Sequence, residues 1–419
     1  MSSPSRNFDL LVFGASGFTG QLVCQYLQRE AEKEGFTFAV AGRNREKVVS
    51  RMKEVGAEPV EVVVADATDE AAIREAVKRT KVVISLVGPY LQHGDTLVKV
   101  VAEEGVHYVD LTGEAPFVSN CISRYSESAL RSKAIILHSC GFDSVPSDLS
   151  TFLAVQRLKE LGGAGAGRVR SVFAGKGGVS GGTTASMLGL FEADKEERRV
   201  AGEPYALSPI HASHRPRPIL FSTSTYAGRS TVGAFWAMGP FNSQIVRRSW
   251  GLLQSASDPA AKNLAYGERF EYDENMKMGS KVGALLASVA LYVGFLLILL
   301  PPARWLLKRY GPKSGDGPSK EDQKSGWFEV ETIAKSWNGS WESRCKMRGE
   351  GDPGYSATAL LISSCALSLL KDHDRLPSLA RQGGFLTPAT ALGPVLVERL
   401  EKTGKFTFEV EGGTVAKGK

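Results

Sequence analysis

The feature that most constrains the fold is a glycine-rich turn that directly follows the first apolar run of the chain. Residues 8–14 read FDLLVFG, and residues 14–20 continue as GASGFTG into a segment with helical spacing of apolar residues. Glycines at such a strand-to-helix junction let the backbone turn sharply and bring amide groups close to a pyrophosphate. The turn therefore predicts a nucleotide-binding βαβ unit at the start of the chain, although an ordinary tight turn is the alternative.

The segment over residues 8–149 alternates short β-rich runs with longer amphipathic runs, which is typical of βαβ units. The six predicted strands are FDLLVFG, FTFAVAG, VEVVVAD, KVVISLVG, HYVDL and AIILHS. Because the connections between them have the length of crossover helices, we predict an α/β fold built on a Rossmann-type parallel sheet.

A chain of 419 residues is too long for one compact core. We predict an NAD(P)-binding Rossmann domain and a second, α+β substrate domain, joined by a hydrophobic membrane-docking insert and a flexible linker rich in Gly, Pro and charge. Part of 355–400 is a candidate to pack back on the first domain. The predicted Rossmann domain spans 1–150, and the substrate domain spans 151–280 and 327–419. The hydrophobic insert spans 281–310, and the linker spans 311–326.

The predicted cofactor site lies at the carboxyl ends of the first four strands, where parallel sheets bind ligands. Arg43 follows the second strand, where an acidic residue would suit NAD(H). A guanidinium there can neutralise a 2′-phosphate, so NADP(H) is favoured over NAD(H), with Arg45 or Lys47 as helpers. A solvated residue at a helix start is the alternative for Arg43. The predicted cofactor-binding residues are Gly14, Ser16, Gly17, Phe18, Thr19, Gly20, Arg43, Asp66, Val87, Gly88 and Pro89.

Two of these predictions are positional. Asp66 ends the third strand, where it can meet the adenine edge or, equally, cap the following helix. Residues 87–90 end the fourth strand, where backbone would run beside the nicotinamide ribose.

A substrate pocket is predicted beside the nicotinamide. It would include Tyr90 and also Asp143 and Ser144, which follow the sixth strand in the run CGFDSVPSD. Capping of the helix that contains Pro146 is the alternative for these two residues. A Tyr followed four residues later by Lys, as in short-chain dehydrogenases, does not occur, so no catalytic residue is assigned. We expect catalysis mainly by positioning.

Composition argues against several other functions. The net charge of +6 is too weak a basic bias for nucleic-acid binding. His211 and His214 have no third ligand nearby in sequence, and the cysteines are widely spaced, so no metal site is predicted. Cys140 is interpreted as a small packing residue.

The N-terminus lacks the pattern of a signal peptide, and a reducing, cytosol-facing compartment fits the cysteines best. The cysteines are Cys24, Cys121, Cys140, Cys345 and Cys365.

Residues 282–300 form an uncharged apolar run, VGALLASVALYVGFLLILL, followed by Pro301 and Pro302. A helix of this length would nearly match a hydrocarbon core, about 28 Å at 1.5 Å per residue. Basic residues flank both sides, so charge does not choose an orientation. We predict a dip into one membrane leaflet rather than a full crossing; a buried helix between domains is the soluble alternative. The flanking bases are Lys277, Lys281, Arg304, Lys308 and Arg309.

Several motifs, in this order, give the chain a family resemblance: GASGFTG, AGR, VGPY with HGD, CGFDSVPSD, GDPGYSATA and GGFLTPATA. Together they resemble the saccharopine dehydrogenase-like oxidoreductases, relatives of the bacterial trans-acting enoyl reductases. The resemblance implies a Rossmann domain, a second domain for substrate, and nucleotide binding by Gly14, Ser16, Gly17, Gly20, Arg43 and Gly88. It also implies association with membranes or lipid droplets through the hydrophobic insert.

Two functions follow as expectations. The first is an NADP(H)-dependent oxidoreductase that acts on an apolar or lipid-linked substrate at a membrane or lipid-droplet surface, facing the cytosol on a lipid droplet, the endoplasmic reticulum or the mitochondrial outer surface. The second is a nucleotide-binding scaffold without turnover at such a surface. A small-molecule or lipid substrate is the expected partner, and a homodimer is a candidate assembly.

Overall fold

The computed structural model describes residues 6–58, 60–162, 165–177, 194–213, 216, 221–298, 300–310 and 320–415. Its strands form two sheets of seven strands each.

The first sheet is the predicted Rossmann-type sheet, with all its strands parallel and in the order β13-β6-β5-β4-β1-β2-β3. The central strands β1 and β4 are buried throughout, as their apolar sequences require when helices cover both faces. The strands are β1 Leu10–Phe13, β2 Phe38–Gly42, β3 Glu61–Val64, β4 Val82–Ser85, β5 His107–Asp110, β6 Ile135–Leu137 and β13 Gly384–Leu386.

Helices connect the first six strands, and local signals set their ends. The Asn44 side chain accepts the amide of Lys47 at 2.9 Å, and the Asp69 side chain accepts that of Ala72 at 3.0 Å, so both are N-caps. Gly35 and Gly105 end two other helices with φ of 63° and 67°. The helices are α1 Phe18–Glu34, α2 Arg45–Glu54, α3 Glu70–Lys78, α4 Tyr90–His93, α5 Asp95–Glu104 and α6 Ala115–Ser132.

The second sheet is mixed, with the order β14-β12-β11-β7-β10-β9-β8. Strands β7 and β10 are parallel, and every other neighbouring pair is antiparallel. Its strands are β7 Ala166–Lys176, β8 Phe221–Tyr226, β9 Arg229–Phe235, β10 Glu271–Met278, β11 Trp327–Ser336, β12 Trp341–Glu350 and β14 Phe406–Thr414.

The remaining helices pack between or outside the sheets. They are α7 Val145–Glu160, α8 Lys195–Gly202, α9 Gly239–Ser255, α10 Pro259–Lys262, α11 Lys281–Ile298, α12 Pro301–Tyr310, α13 Lys320–Ser325, α14 Thr358–Lys371, α15 Pro388–Ala391 and α16 Gly393–Lys402. A π-helical turn, Pro353–Ala357, precedes α14.

The two halves of the chain are interleaved more closely than a boundary near residue 150 implies. Strand β13 extends the first sheet beside β6, and α14 packs against α1, β4 and β5. Helix α7 crosses to the second sheet, where it packs on β11 and β12. The predicted linker also needs correction: residues 320–325 form a helix, while 311–319 lie outside the described residues.

By length and composition, two helices of the described chain are apolar enough to cross a membrane, which alone is weak evidence. One, Pro353–Lys371, is 78% buried and is a core helix. The other, α11, is only 11% buried, so the alternative of a buried helix between domains is wrong. The apolar run ends where predicted, because Pro301 begins the separate helix α12.

Candidate active site

A cleft of about 1490 Å³ runs from the carboxyl edge of the first sheet to the second sheet and to α11. One end is lined by the glycine turn and by α2. The middle is lined by residues that follow β4, β5 and β6. The far end is lined by Trp236, Met238 and Met276, and by one face of α11. Ligands of parallel α/β sheets bind at this edge.

Each glycine of the turn has a different role. Gly14 has a φ of 84°, which favours glycine, and Gly20 lies so close to the backbone of Gly14 and Ala15 that a side chain would not fit. At Gly17, an added Cβ would meet only the Gly14 carbonyl oxygen, at 3.4 Å. The protein therefore leaves the cleft side of Gly17 open, at the N-terminus of α1, where unpaired amides favour an anion.

The other predicted residues of the turn, Ser16, Phe18 and Thr19, also line the cleft. The Phe18 ring packs edge-on against Tyr355, with centroids 4.8 Å apart, and so joins the turn to the segment before α14. The turn thus has the open backbone cradle that a pyrophosphate requires, and its residues fit a dinucleotide.

Basic side chains lie near the same end of the cleft. Arg43 is 80% exposed, with its Nε 3.9 Å from Asp66 Oδ2, and it does not itself line the cleft. Lys47 and Arg51 do line it, from one face of α2 four residues apart. Arg51 was missed by sequence reasoning, although the i, i+4 spacing from Lys47 was a usable signal.

Asp66 does not line the cleft and does not cap α3, so contact with adenine stays a prediction. Its carboxylate accepts hydrogen bonds from the Thr68 amide at 2.9 Å and hydroxyl at 2.7 Å, which lower its pKa. The N-cap of α3 is Asp69 instead. Asp66 therefore orders the loop after β3 beside Arg43.

The residues after β4 divide between cleft and core. Gly88, Pro89 and Tyr90 line the cleft, as does Leu86, whereas Val87 packs against the hydrophobic core and is not part of the lining. The chain alternates sides as it leaves the strand, so cofactor binding through Val87 stays a prediction.

Tyr90 is held in place by its neighbours. Its hydroxyl donates to the Ser85 carbonyl at 3.0 Å and accepts from the Leu111 amide at 3.2 Å. The buried Glu114 carboxylate accepts the backbone amides of Tyr90 and Leu91 at 3.1 and 2.9 Å. Tyr90 is thus a rigid part of the wall.

Asp143 and Ser144 both line the cleft, and neither side chain caps α7. The capping alternative is therefore wrong for both. The Ser144 hydroxyl donates to Asn242 Oδ1 at 3.1 Å, and burial raises the pKa of Asp143 to about 6.

A buried carboxylate that the sequence did not reveal lies behind these residues. Glu274 on β10 accepts hydrogen bonds from Ser147, Asn242 and Tyr272 at 2.7, 2.7 and 2.9 Å. Burial raises the pKa of Glu274 to about 7. The residues beside Glu274 on β10 are also polar or charged. The strand therefore lacks the alternation of apolar and polar residues that would indicate an inward-facing acid.

The described residues hold no cluster of three or more His, Cys, Asp or Glu that could bind a metal. His211 stacks on Tyr205 with centroids 5.6 Å apart, while His214 lies outside the described residues. All five cysteines are buried and unpaired by disulfides. Desolvation raises the pKa of the Cys140 thiol well above its usual range, so it is not activated as a nucleophile.

Comparison with known proteins identifies the first domain. Residues 10–138 match the family model described as the saccharopine dehydrogenase NADP-binding domain. This range contains β1 to β6 and the glycine turn, and it confirms the predicted preference for NADP(H).

Mycobacterial proteins are similar over nearly the whole chain. A Mycobacterium tuberculosis (strain H37Rv) protein, provisionally named as a trans-acting enoyl reductase, is 37% identical, with 96% of this chain and 98% of that protein covered. The trans-acting enoyl reductase of Mycobacterium ulcerans is 33% identical, with 96% and 98% covered.

A solved structure supports the overall fold. The apo saccharopine dehydrogenase (L-Glu forming) of Saccharomyces cerevisiae matches with a TM-score of 0.51 and 15% identity, covering 98% of this chain and 100% of that chain. At this identity the likeness concerns the fold alone. The family model and the full-length relatives go further: the chain is an NADP-binding oxidoreductase that belongs to the saccharopine dehydrogenase-like family, together with the trans-acting enoyl reductases.

Proposed function

We propose that the protein reduces an α,β-unsaturated acyl group of a lipid or lipid-linked substrate, which it takes up from a lipid surface through α11. One observation carries the proposal: the cleft that begins at the glycine turn ends on a face of the exposed apolar helix. A ligand in this cleft can therefore contact the cofactor site and the apolar helix together.

Helix α11 has one face toward the protein. Ala284 and Ser288 are buried against the second sheet, where the Ser288 hydroxyl accepts the Phe235 amide at 2.8 Å. Further along, the same side of the helix lines the cleft, and Phe295 packs edge-on against Phe235 with centroids 6.3 Å apart. The lining residues are Ala290, Leu291, Gly294, Phe295 and Ile298.

The opposite face of α11 is also apolar, although nothing in the described chain covers it. Val282, Leu286 and Tyr292 are 69%, 65% and 58% exposed. A helix that is apolar on all sides is unfavourable in water but suits an acyl environment. This supports docking of α11 into a membrane or the surface of a lipid droplet.

The path of the chain favours a dip over a crossing. Strand β10 leads into α11, and β11 follows after α12 and α13. Both strands pair with β7, β10 in parallel and β11 antiparallel, so the end of β10 and the start of β11 lie at the same edge of the sheet. Helix α12, with 10 residues, is too short to return across a bilayer.

The flanks of the insert fit an interface. Arg309 lies over the rings of Trp305 and Tyr310, at 5.7 Å from both centroids, and both rings are exposed. Aromatic and basic residues together are typical of helices at a lipid surface. Lys277 instead pairs with Glu329 at 3.5 Å, so the bases that contact headgroups in this proposal exclude it.

The type of reaction comes from the relatives, which are named enoyl reductases. NADPH, when bound, supplies a hydride for the β-carbon of the double bond. The cleft residues would hold the nucleotide on one side and the acyl chain on the other, and one proton must reach the α-carbon. We place this activity on a cytosol-facing lipid droplet, endoplasmic reticulum or mitochondrial outer surface, because five unpaired cysteines fit a reducing compartment.

The test measures NADPH oxidation with two thioesters that carry a trans α,β double bond, one of hexadecenoyl length in phospholipid vesicles and one of crotonyl length in solution. We expect turnover that favours the long chain. In Gly294→Phe, a ring would fill the cleft beside the apolar face, and no atom lies within 4 Å of an added Cβ, so the fold is preserved.

Gly294→Phe should therefore lose activity on the long chain by tenfold or more and keep activity on the short one. Gly279→Phe, also with no neighbour within 4 Å but outside the cleft, is the matched control. Equal loss on both substrates would contradict an acyl chain along α11. NADPH binding without turnover of any acyl substrate would favour the scaffold instead.

A further inference from the structure

Asp143 is the acidic residue of the described chain that lines the cleft at the carboxyl edge of the first sheet. It lies two residues before α7, in the turn that follows β6. Within the described ranges its carboxyl accepts no hydrogen bond, and burial alone accounts for its raised pKa, about 6. A partly buried carboxyl with no donor is stabilised in its protonated form.

Glu274 fixes the surroundings of Asp143 from behind. Three donors hold its carboxylate, and one of them, Asn242, also accepts the hydroxyl of Ser144, the neighbour of Asp143. Burial and, to a smaller extent, a charge on Asp143 raise the pKa of Glu274, whereas burial alone raises the pKa of Asp143. Since like charges repel, ionising both at once is unfavourable, and Glu274, which has the higher pKa, keeps its proton while Asp143 exchanges its own.

We propose that Asp143 is the catalytic residue that donates the proton of the reduction, and that Glu274 is a positioning residue that holds the Asp143 turn through Asn242 and Ser144. The inference rests on the proposed function. As hydride bonds to the β-carbon, the α,β π-bond breaks and its electron pair takes the Asp143 proton at the α-carbon. The O–H bond of Asp143 breaks, and the carboxylate regains a proton from water through the open cleft.

Few other groups compete for this role. Lys47 and Arg51 lie at the nucleotide end of the cleft; burial raises the pKa of the Tyr90 phenol well above its usual range, and its proton is already donated to the Ser85 carbonyl. From β10, Glu274 and Tyr272 face the Asp143 turn; α9 presents Asn242, and the π-helical turn presents Tyr355. Among these, Asp143 combines access to the cleft with a dissociable proton near neutral pH.

The test compares wild type with Asp143→Asn and Glu274→Gln, and uses Asp273→Asn as matched control. Asp273 neighbours Glu274 on β10 but its carboxylate lies 3.6 Å from Arg170. Each variant is assayed for kcat from acidic to alkaline pH and for NADPH affinity by fluorescence. Infrared difference spectra of the NADPH complexes, wild type minus Asp143→Asn, follow the protonated carboxyl with pH.

We expect Asp143→Asn to lose about 10²- to 10⁴-fold in kcat, typical of a missing general acid, with NADPH affinity unchanged. In wild type, kcat should fall as pH rises through the pKa of Asp143. Glu274 is still protonated where Asp143 ionises, so Glu274→Gln should leave the pH of this fall unchanged; its amide cannot accept from all three donors that hold Glu274, so kcat should be lower. Asp273→Asn should leave the profile unchanged.

Two results would overturn the inference while leaving the proposed function intact: Asp143→Asn with full kcat, or Glu274→Gln with full kcat. Failure of wild type to reduce any acyl substrate defeats the proposed function. In that case the infrared titration still tests Asp143. If its carboxyl is already fully ionised at every pH above the ordinary pKa of an aspartate, Asp143 is not a proton donor.

Discussion

Asp148 accepts a hydrogen bond from the backbone amide of Ala389, 241 residues away in the chain, at 2.8 Å. The other oxygen of this buried carboxyl accepts the hydroxyl of Ser249. Three segments therefore meet at one side chain: α7, α9 of the second domain, and the short helix α15 that follows β13 of the first sheet. These hydrogen bonds connect the two halves of the chain through the interior of the protein.

The first prediction concerns the pH dependence of stability. Burial raises the pKa of Asp148 to about 6 from its ordinary 3.8. Below the ordinary value the carboxyl is neutral in both folded and unfolded chains, and above the raised value it is ionised in both. Its contribution to stability is thus lost as pH rises from about 4 to 6, by roughly 3 kcal/mol.

Asp148→Asn keeps an oxygen that accepts the Ala389 amide, and its NH2 group donates to Ser249 Oγ, whose own proton turns to Thr387. This side chain does not ionise. The free energy of unfolding of this variant in urea, relative to wild type, should therefore rise between these pH values. Asp148→Ala leaves the Ala389 amide without its acceptor, while Ser249 still has Thr387 and Ile245, so it should destabilise at every pH, by about 1–3 kcal/mol. A constant difference between Asp148→Asn and wild type across this range would contradict the assignment.

The second prediction separates binding from folding at the glycine turn. Gly17→Val should abolish NADPH binding, measured by fluorescence, with an unchanged circular dichroism spectrum, because its side chain would occupy the open cradle without meeting the protein core.

Gly20→Val is the matched control. Its Cβ would collide with the backbone of Gly14 and Ala15, so we expect loss of the folded state itself. Normal nucleotide binding by a folded Gly17→Val protein would show that the turn does not hold the pyrophosphate.

The third prediction concerns the choice of NADPH over NADH. Arg43→Ala, Lys47→Ala and Arg51→Ala should each weaken NADPH binding while changing NADH affinity little, because a 2′-phosphate needs a basic partner. A charge-assisted contact contributes about 1.5–3 kcal/mol. The one of these three residues that contributes most should therefore account for a preference for NADPH over NADH of about 10- to 100-fold, measured by calorimetry.

Arg45→Ala is the control for this series, since the Arg45 guanidinium donates to the Val62 carbonyl at 3.4 Å and lies outside the cleft. Equal affinity of wild type for both cofactors would contradict the interpretation of all these bases.

The fourth prediction concerns the apolar insert. Leu286→Lys combined with Leu297→Lys places charge on the face of α11 that is 65% and 51% exposed at these positions. Flotation with anionic vesicles should be strongly reduced, because a lysine in the acyl region is costly. Leu130→Lys is the control. Leu130 lies on α6 and is 52% exposed, and this variant should float with the vesicles as wild type does.

Topology is tested by tags at the N-terminus and after Lys419 on intact microsomes. Both tags should be digested from outside. Protection of one tag alone would show that the insert crosses the membrane. Deletion of 279–310 with a short Gly/Ser bridge should give a soluble protein that still binds NADPH.

The sequence alone determined much of the first domain. The glycine turn and six apolar runs with helical crossovers predicted the parallel sheet, and Arg43 predicted NADP(H), because these signals are local: strand pattern, turn chemistry and charge at a strand end. The apolar run and its proline break predicted α11 for the same reason.

Tertiary structure decided what depends on distant segments meeting. Gly384–Leu386 joins the first sheet as its seventh strand, and a three-residue strand has too little pattern to reveal its partner. Glu274 becomes a buried acid near Asp143 only because β10 packs behind the turn after β6, with Asn242 from α9 between them. No spacing within one segment encodes that burial, so the raised pKa values and the continuous cleft follow only from the packing of the two domains.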